Sequence, residues 1–272
     1  IITTLIVVVI VGSAFYFFKN EIVQLFYAPT KPAGQVGVSL NEIQKEQNGP
    51  DIETVITGLK IPWEIAFLPN DEILVTERPG NLLKIGADKT VIKVEGVQHV
   101  GEGGLQGLAL HPDFGQNQYI YLYLTTKTYD QLINRVERYK LEDGRLNDKT
   151  VIIDNIPGAQ FHDGGRIKFG PDNKLYIATG DANQRDKAQD LNYLGGKILR
   201  LNDDGSIPQD NPFENSPIYS YGHRNPQGLA WDSQSRLWIT EHGRSVPLSG
   251  LDELNLIEEE VGRPINYHSY VS

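Results

Sequence analysis

Apolar and polar positions along this chain change character twice. Residues 1–18 carry no charge and are almost wholly apolar, with the β-branched run Val7-Val-Val-Ile-Val11 inside them. A helix of that length spans about 27 Å, close to the bilayer core. The pattern predicts a signal-anchor or transmembrane segment over 1–18, with a buried N-terminal strand as the alternative. Residues 19–50 mix Lys, Glu, Gln, Asn, Pro and Gly with little period, the composition of a linker. From residue 51 to 272 short apolar alternations are broken by Pro69-Asn70, Pro112-Asp113, Glu142-Asp143-Gly144 and Pro171-Asp172. That punctuation marks β-strands joined by tight turns, and helical periodicity is nearly absent. Residues 184–195 read as a loop or one short helix.

One unit of this pattern recurs. Ile65–Glu77 is a first copy, Leu108–Phe114 with Tyr119–Tyr123 a second, Ile167–Gly180 a third and Leu229–Glu241 a fourth. Each reads strand, turn, strand. With Phe67, Leu110, Phe169 and Trp231 as equivalent buried positions, the intervals are 43, 59 and 62 residues. Such spacing suits the four-stranded blades of a β-propeller with loop insertions, each blade burying its faces only against its neighbours. A β-sandwich is the alternative, but it gives no reason for a fourfold copy of one hairpin. The expected fold is therefore all-β, a propeller with about four to five blades present. An open arc leaves an exposed blade edge, so the sequence reads as a piece of a longer protein.

Composition narrows the function. The formal charge is −10 with a pI near 5.1, which argues against nucleic acid as a partner. Cysteine is absent, so disulfides do not brace the domain and no lipid-bearing Cys follows the apolar run. A Walker loop, a GxSxG elbow, an HExxH pair and a CxxC pair are all missing. Gly101-Glu-Gly-Gly104 is not a dinucleotide fingerprint, because no helical pattern follows it.

The candidate chemistry sits in two Gly/Pro-rich turns, Phe161-His-Asp-Gly-Gly-Arg166 and Tyr221-Gly-His-Arg-Asn-Pro-Gln-Gly-Leu229. Turns of this kind run over the surface, so their polar groups are free to meet a ligand. An imidazole suits a general base, which makes His162 the candidate; a turn histidine bonding a carbonyl is the plain alternative. The two glycines after it would leave the backbone open to a ligand. Asp163 either orients His162 or caps the turn. Arg224 offers a planar fork for carboxylate or quinone oxygens, and Asn225 a donor and an acceptor together. His111 and His223 read as structural, His223 supporting the Arg-Asn pair from behind.

These turns, with Gly195-Gly-Lys-Ile-Leu-Arg-Leu-Asn-Asp-Asp-Gly-Ser-Ile-Pro-Gln-Asp-Asn-Pro212, resemble the soluble PQQ-dependent aldose sugar dehydrogenases over about residues 55–267. That family is a six-bladed β-propeller quinoprotein binding pyrroloquinoline quinone (PQQ) and calcium. The resemblance implies oxidation of an aldose at its anomeric carbon to the lactone, with His162 as general base and an external electron acceptor. It implies Arg224 and Asn225 at the cofactor. Glu102 falls where the family often carries a quinone-binding Gln, and a carboxylate there would repel an anionic cofactor unless protonated or paired. Asp181 resembles a substrate-side Asp, with an Asx-turn as the alternative. Gly243 and Arg244 correspond to a Gly-Pro pair whose carbonyls hold calcium. Glu253 and Tyr267 match a second calcium site, with a solvated acidic turn as the alternative. The implied location is periplasmic or extracellular, tethered to a membrane by the N-terminal segment. Two rivals stand beside this reading. One is a calcium-dependent lactonase-type propeller that would recruit Glu102 and Asn225 to a central metal. The other is a non-catalytic cell-surface binding module.

Overall fold

The computed structural model describes residues 53–243 and 252–257. The expected membrane segment, the linker at 19–50, Arg244 and Tyr267 lie outside the described residues. Residues 58–243 and 252–257 belong to one unit.

Four antiparallel sheets follow one another along this unit, each a simple up-and-down meander. The first comprises β1 (Pro62–Phe67), β2 (Ile73–Glu77), β3 (Asn81–Ile85) and β4 (Lys89–Lys93). The second has longer strands, β5 (Leu105–Leu110), β6 (Tyr119–Thr128), β7 (Gln131–Glu142) and β8 (Arg145–Pro157). The third is β9 (Gly164–Phe169), β10 (Leu175–Thr179), β11 (Lys197–Leu201) and β12 (Ile218–Tyr221). The fourth has three described strands, β13 (Pro226–Trp231), β14 (Leu237–Glu241) and β15 (Glu253–Ile257). Residues 184–195 hold one 3₁₀ turn, Arg185–Gln189, in line with the loop-or-short-helix reading.

The first strands of the blades are neighbours, β1 beside β5, β5 beside β9 and β9 beside β13. Together they line a channel of about 660 Å³ through residues such as Ala66, Leu108, Ile167 and Leu229. This is propeller geometry, and the two-residue period of the strands explains it. In β6, Ile120, Leu122 and Leu124 pack toward the first blade while Tyr121 and Tyr123 pack toward the third. In β10, Leu175 and Ile177 face the second blade while Tyr176 and Ala178 face the fourth. These two inner strands thus bury both faces, and each fully buried large side chain contributes roughly 1.5–3 kcal/mol.

The four aligned positions are equivalent in register. Phe67 pairs with Ile73, Leu110 with Ile120, Phe169 with Leu175 and Trp231 with Leu237, each closing the first strand of its blade. Their burial is not equivalent, which corrects the expectation. Phe169 packs edge-on against Tyr121 of the preceding blade with centroids 5.0 Å apart, and Trp231 against Tyr176 of its preceding blade at 5.0 Å. Phe67 is 68% exposed. No blade precedes the first among the described residues, so no ring there covers it.

Candidate functional site

Three turns, each leading into the first strand of a blade, interlock through one carboxylate. Glu102 donates its N–H to Gln160 O at 2.8 Å, and its Oε2 receives the His162 N–H at 2.8 Å. The same Oε2 receives Asn225 Nδ2 at 3.2 Å. Asn225 Oδ1 in turn accepts from Gly164 N–H at 3.0 Å and Gln227 Nε2 at 3.0 Å. Residues 123 positions apart are joined in this way. Glu102, His162 and Asn225, expected at one site, are therefore together.

His162 adopts φ +64, a left-handed conformation uncommon outside Gly, Asn and Asp, and concentrated at functional sites. Its Nδ1 lies 2.8 Å from Asp181 Oδ1. Asp181 is almost fully buried, and the same oxygen accepts the Asn183 N–H at 2.8 Å. Asp181 closes the Asx-turn given as the alternative reading, and the same carboxylate oxygen also holds the imidazole. A carboxylate accepts only, so it selects the tautomer protonated at Nδ1 and leaves the Nε2 lone pair as a proton acceptor.

Asp163 does not orient His162. Its Oδ1 accepts from Asn134 Nδ2 and Ala159 N–H, both at 3.0 Å, so it caps the turn. Burial pushes its carboxyl up to about 6, against the hydrogen bonds from Asn134 and Ala159. The glycines behave differently from expectation too. A Cβ on Gly164 would strike the backbone of Ala178 and Gly180, and one on Gly165 the side chain of Gln106. They allow close packing of β9 against its neighbours rather than open approach of a ligand.

Glu241, at the end of β14, was not singled out in the sequence. Its Oε1 accepts the backbone N–H groups of Arg224 and, at 3.1 Å, Asn225. Its Oε2 meets His223 Nδ1 at 3.1 Å, and His223 Nε2 meets Ser220 Oγ at 2.9 Å. His223 thus supports the Arg-Asn turn from behind. A signal for Glu241 existed: residues 58–79 align with 222–243 without a gap, sharing Gly58/Gly222, Pro62/Pro226, Ala66/Ala230, Thr76/Thr240 and Glu77/Glu241. Glu77 repeats the device in the first blade, accepting the Lys60 N–H at 2.6 Å. The Arg224 carbonyl receives the Asp181 N–H at 2.8 Å, and its guanidinium reaches His242 O at 3.1 Å.

A cavity of about 170 Å³ opens where these turns meet, lined by Trp63, Arg78, Glu102, Gln106, Asn225 and Gln227 among others. Arg78 grips the carbonyls of Gly101 and Gly103 on either side of Glu102. Burial lowers the Arg78 guanidinium, while Glu102 and Asp163 act in the opposite sense. Gln106 is buried, gives Nε2 to Gly164 O at 3.2 Å, and leaves Oε1 without a hydrogen-bond partner.

The expected metal ligands are partly visible. Gly243 donates its N–H to Asp252 Oδ1 at 3.1 Å, and Glu253 Oε2 accepts from Asn255 Nδ2 at 3.0 Å. Among the described residues no group of three or more carboxylates or histidines converges. Asn225 turns its amide nitrogen, not its oxygen, toward Glu102, which speaks against the two sharing a central metal.

A family model described as Glucose / Sorbosone dehydrogenase matches residues 59–267. The aldose sugar dehydrogenase of Escherichia coli is 39% identical over 222 residues, covering 76% of this chain and 59% of that protein. Quinoprotein glucose dehydrogenase B of Acinetobacter calcoaceticus is 36% identical over 245 residues, covering 76% of this chain and 50% of the relative. Among solved structures, the PQQ-bound form of an aldose sugar dehydrogenase from Streptomyces coelicolor superposes with a TM-score of 0.71. It is 41% identical and covers 76% of this chain and 63% of that one. The chain spans a half to three fifths of the length of these curated relatives. The matched region takes in the three interlocked turns and all four blades, and the chain belongs to the glucose/sorbosone dehydrogenase family.

Proposed function

We propose that the full-length protein is a PQQ-dependent sugar dehydrogenase that oxidises an aldose at its anomeric carbon to the lactone. The relatives' activities and the quinone in a related structure support this. The observation that carries it is the His162–Asp181 pair, 2.8 Å apart, with Nδ1 committed and Nε2 left to accept a proton.

The residues suit a planar polyanion. Arg78 brings a guanidinium and Trp63 an aromatic ring to the cavity, and the Arg224 guanidinium bonds the carbonyl of His242, which also lines it. The Glu102 carboxylate would repel such a ligand, but its Oε2 already takes two hydrogen bonds and Arg78 brackets its backbone. Bound there, PQQ supplies the acceptor for the hydride leaving the anomeric carbon. His162 Nε2 takes the proton of the anomeric hydroxyl, and Asp181 stabilises the imidazolium that results. Arg224 would stabilise negative charge on the bound quinone. An external electron acceptor would complete the turnover.

Calcium belongs to the same proposal. Gly243, whose N–H bonds Asp252, would offer a carbonyl oxygen together with Arg244, and Glu253 and Tyr267 a second set. So do a periplasmic or extracellular location and a membrane tether through residues 1–18.

The test is to reconstitute the full-length protein with PQQ and calcium and measure dye-linked oxidation across aldoses. Sugar-dependent dye reduction supports the proposal. Hydrolysis of a lactone without dye reduction would favour the lactonase-type reading. Absence of both activities in protein that binds a macromolecular partner would favour the binding module.

A further inference from the structure

Lys197 opens β11 and is fully buried, yet no carboxylate pairs with it among the described residues. Its Nζ donates instead to backbone carbonyls of the β10–β11 loop, to Ala188 O and Gly195 O at 2.8 Å each, with Lys187 O at 3.4 Å. Burial brings this amine down to about 8, with Asp190 acting in the opposite sense. A buried amine without a counter-ion is uncommon, and it persists where its donors are satisfied by buried carbonyls.

The loop it ties carries the site on both sides. At one end, Asp181 holds His162, and Tyr193 gives its hydroxyl to Asp181 O at 3.3 Å. Gly196 donates to Gly180 O at 2.8 Å, one residue before Asp181. On the other side, Ala188 O, already a Lys197 acceptor, takes the Gly222 N–H at 2.9 Å, and Gly196 O takes the His223 N–H at 3.1 Å. Those two amides open the turn that presents Arg224 and Asn225. One ammonium therefore sits behind the partner of the proposed base and behind the proposed cofactor contacts.

We propose that Lys197 is a positioning residue: its ammonium fixes the 187–196 loop, and through it keeps Asp181 on His162 Nδ1 and the 222–225 turn in register. This rests on the reading of His162 as the base, but its first test needs no turnover. In the full-length protein, the His162 Nδ1–H bonded to a buried carboxylate should give a downfield proton resonance protected from water. Lys197→Met keeps the length of the stem and removes the donors; it should broaden or abolish that resonance while the protein stays folded. Arg200→Met removes another buried cation of the same blade, one that binds Asp172 and Asp210, and should leave the resonance in place. Lys197→Gln, which keeps two donors, is read in the same way should the Met variant not fold. In PQQ-loaded enzyme, Lys197→Met should lower kcat about tenfold with KM changed less than twofold. An unaltered resonance in a folded Lys197 variant overturns the proposal, as does equal loss in Arg200→Met. A wild-type protein that shows the resonance but no sugar oxidation would overturn the dehydrogenase reading and leave the positioning role standing.

Discussion

Asp181 Oδ1 lies 2.8 Å from His162 Nδ1 and at the same distance from the Asn183 N–H. The Asx-turn fixes the carboxylate, and the carboxylate fixes the imidazole tautomer. Asp181→Asn keeps the size but can donate to Nδ1, which moves the ring proton to Nε2 and removes the acceptor. In PQQ-loaded full-length enzyme kcat should fall by about 10²-fold or more with little change in KM. Steady-state kinetics on the variant checks this, and an unchanged kcat would show that the pair is only a turn.

Glu102→Gln should leave the His162 N–H with an acceptor while removing a negative charge from the cavity wall. Quinone binding, followed by tryptophan fluorescence quenching, should tighten. The gain should reach about tenfold if one charge-assisted repulsion of roughly 1.4 kcal/mol is relieved. Weaker binding would mean that the carboxylate carries a metal or a proton.

Asp163 makes stability depend on pH. Its folded-state value, near 6, is raised above the ordinary 3.8 by burial, so the native state holds the proton more tightly than the unfolded chain. Its contribution is complete below about 3.8 and is lost as pH rises through about 6. The Asp163→Asn substitution would keep an acceptor for Asn134 and Ala159 and put a group there that never ionises. Urea unfolding should show this variant gaining on the wild type as pH goes from 4 to 7, by up to about 2–3 kcal/mol. A difference that does not vary with pH would contradict the burial argument.

Much of this architecture was legible in the chain, because blades repeat. Phe67, Leu110, Phe169 and Trp231 fall at one register position, as their alignment suggested. Burial of Phe67 was not legible, since cover depends on a ring from another blade. The site residues were visible as residue types in turns, but not who meets whom. His162 and Asp181 are 19 positions apart and Glu102 and Asn225 are 123 apart. Only the closing of the blades around one channel joins them. Asp163, adjacent to His162, was the natural orienter on sequence grounds. Its side chain meets Asn134 on β7 instead, while the left-handed backbone at His162 carries the imidazole to Asp181. Glu241 is part of the repeat, but a repeated Glu carries no sign of which N–H groups it caps.

Gly180 lies against the backbone of His162, where an added Cβ would strike the carbonyl. Gly180→Ala should therefore destabilise the protein by about 1–3 kcal/mol and shift His162 relative to Asp181. Thermal unfolding reads the first effect. Loss of activity beyond the fraction unfolded reads the second. A variant with wild-type stability and activity would mean that the turn relaxes freely there.

Whether His162 is the base is read from the single-turnover rate of quinone reduction by an aldose in full-length, PQQ-loaded protein, compared with His162→Gln. The variant should lose about 10²-fold or more of that rate with the quinone still bound, since it lacks the Nε2 proton acceptor while Arg224 and Asn225 remain. An equal rate in the two proteins, with equal quinone occupancy, would contradict it.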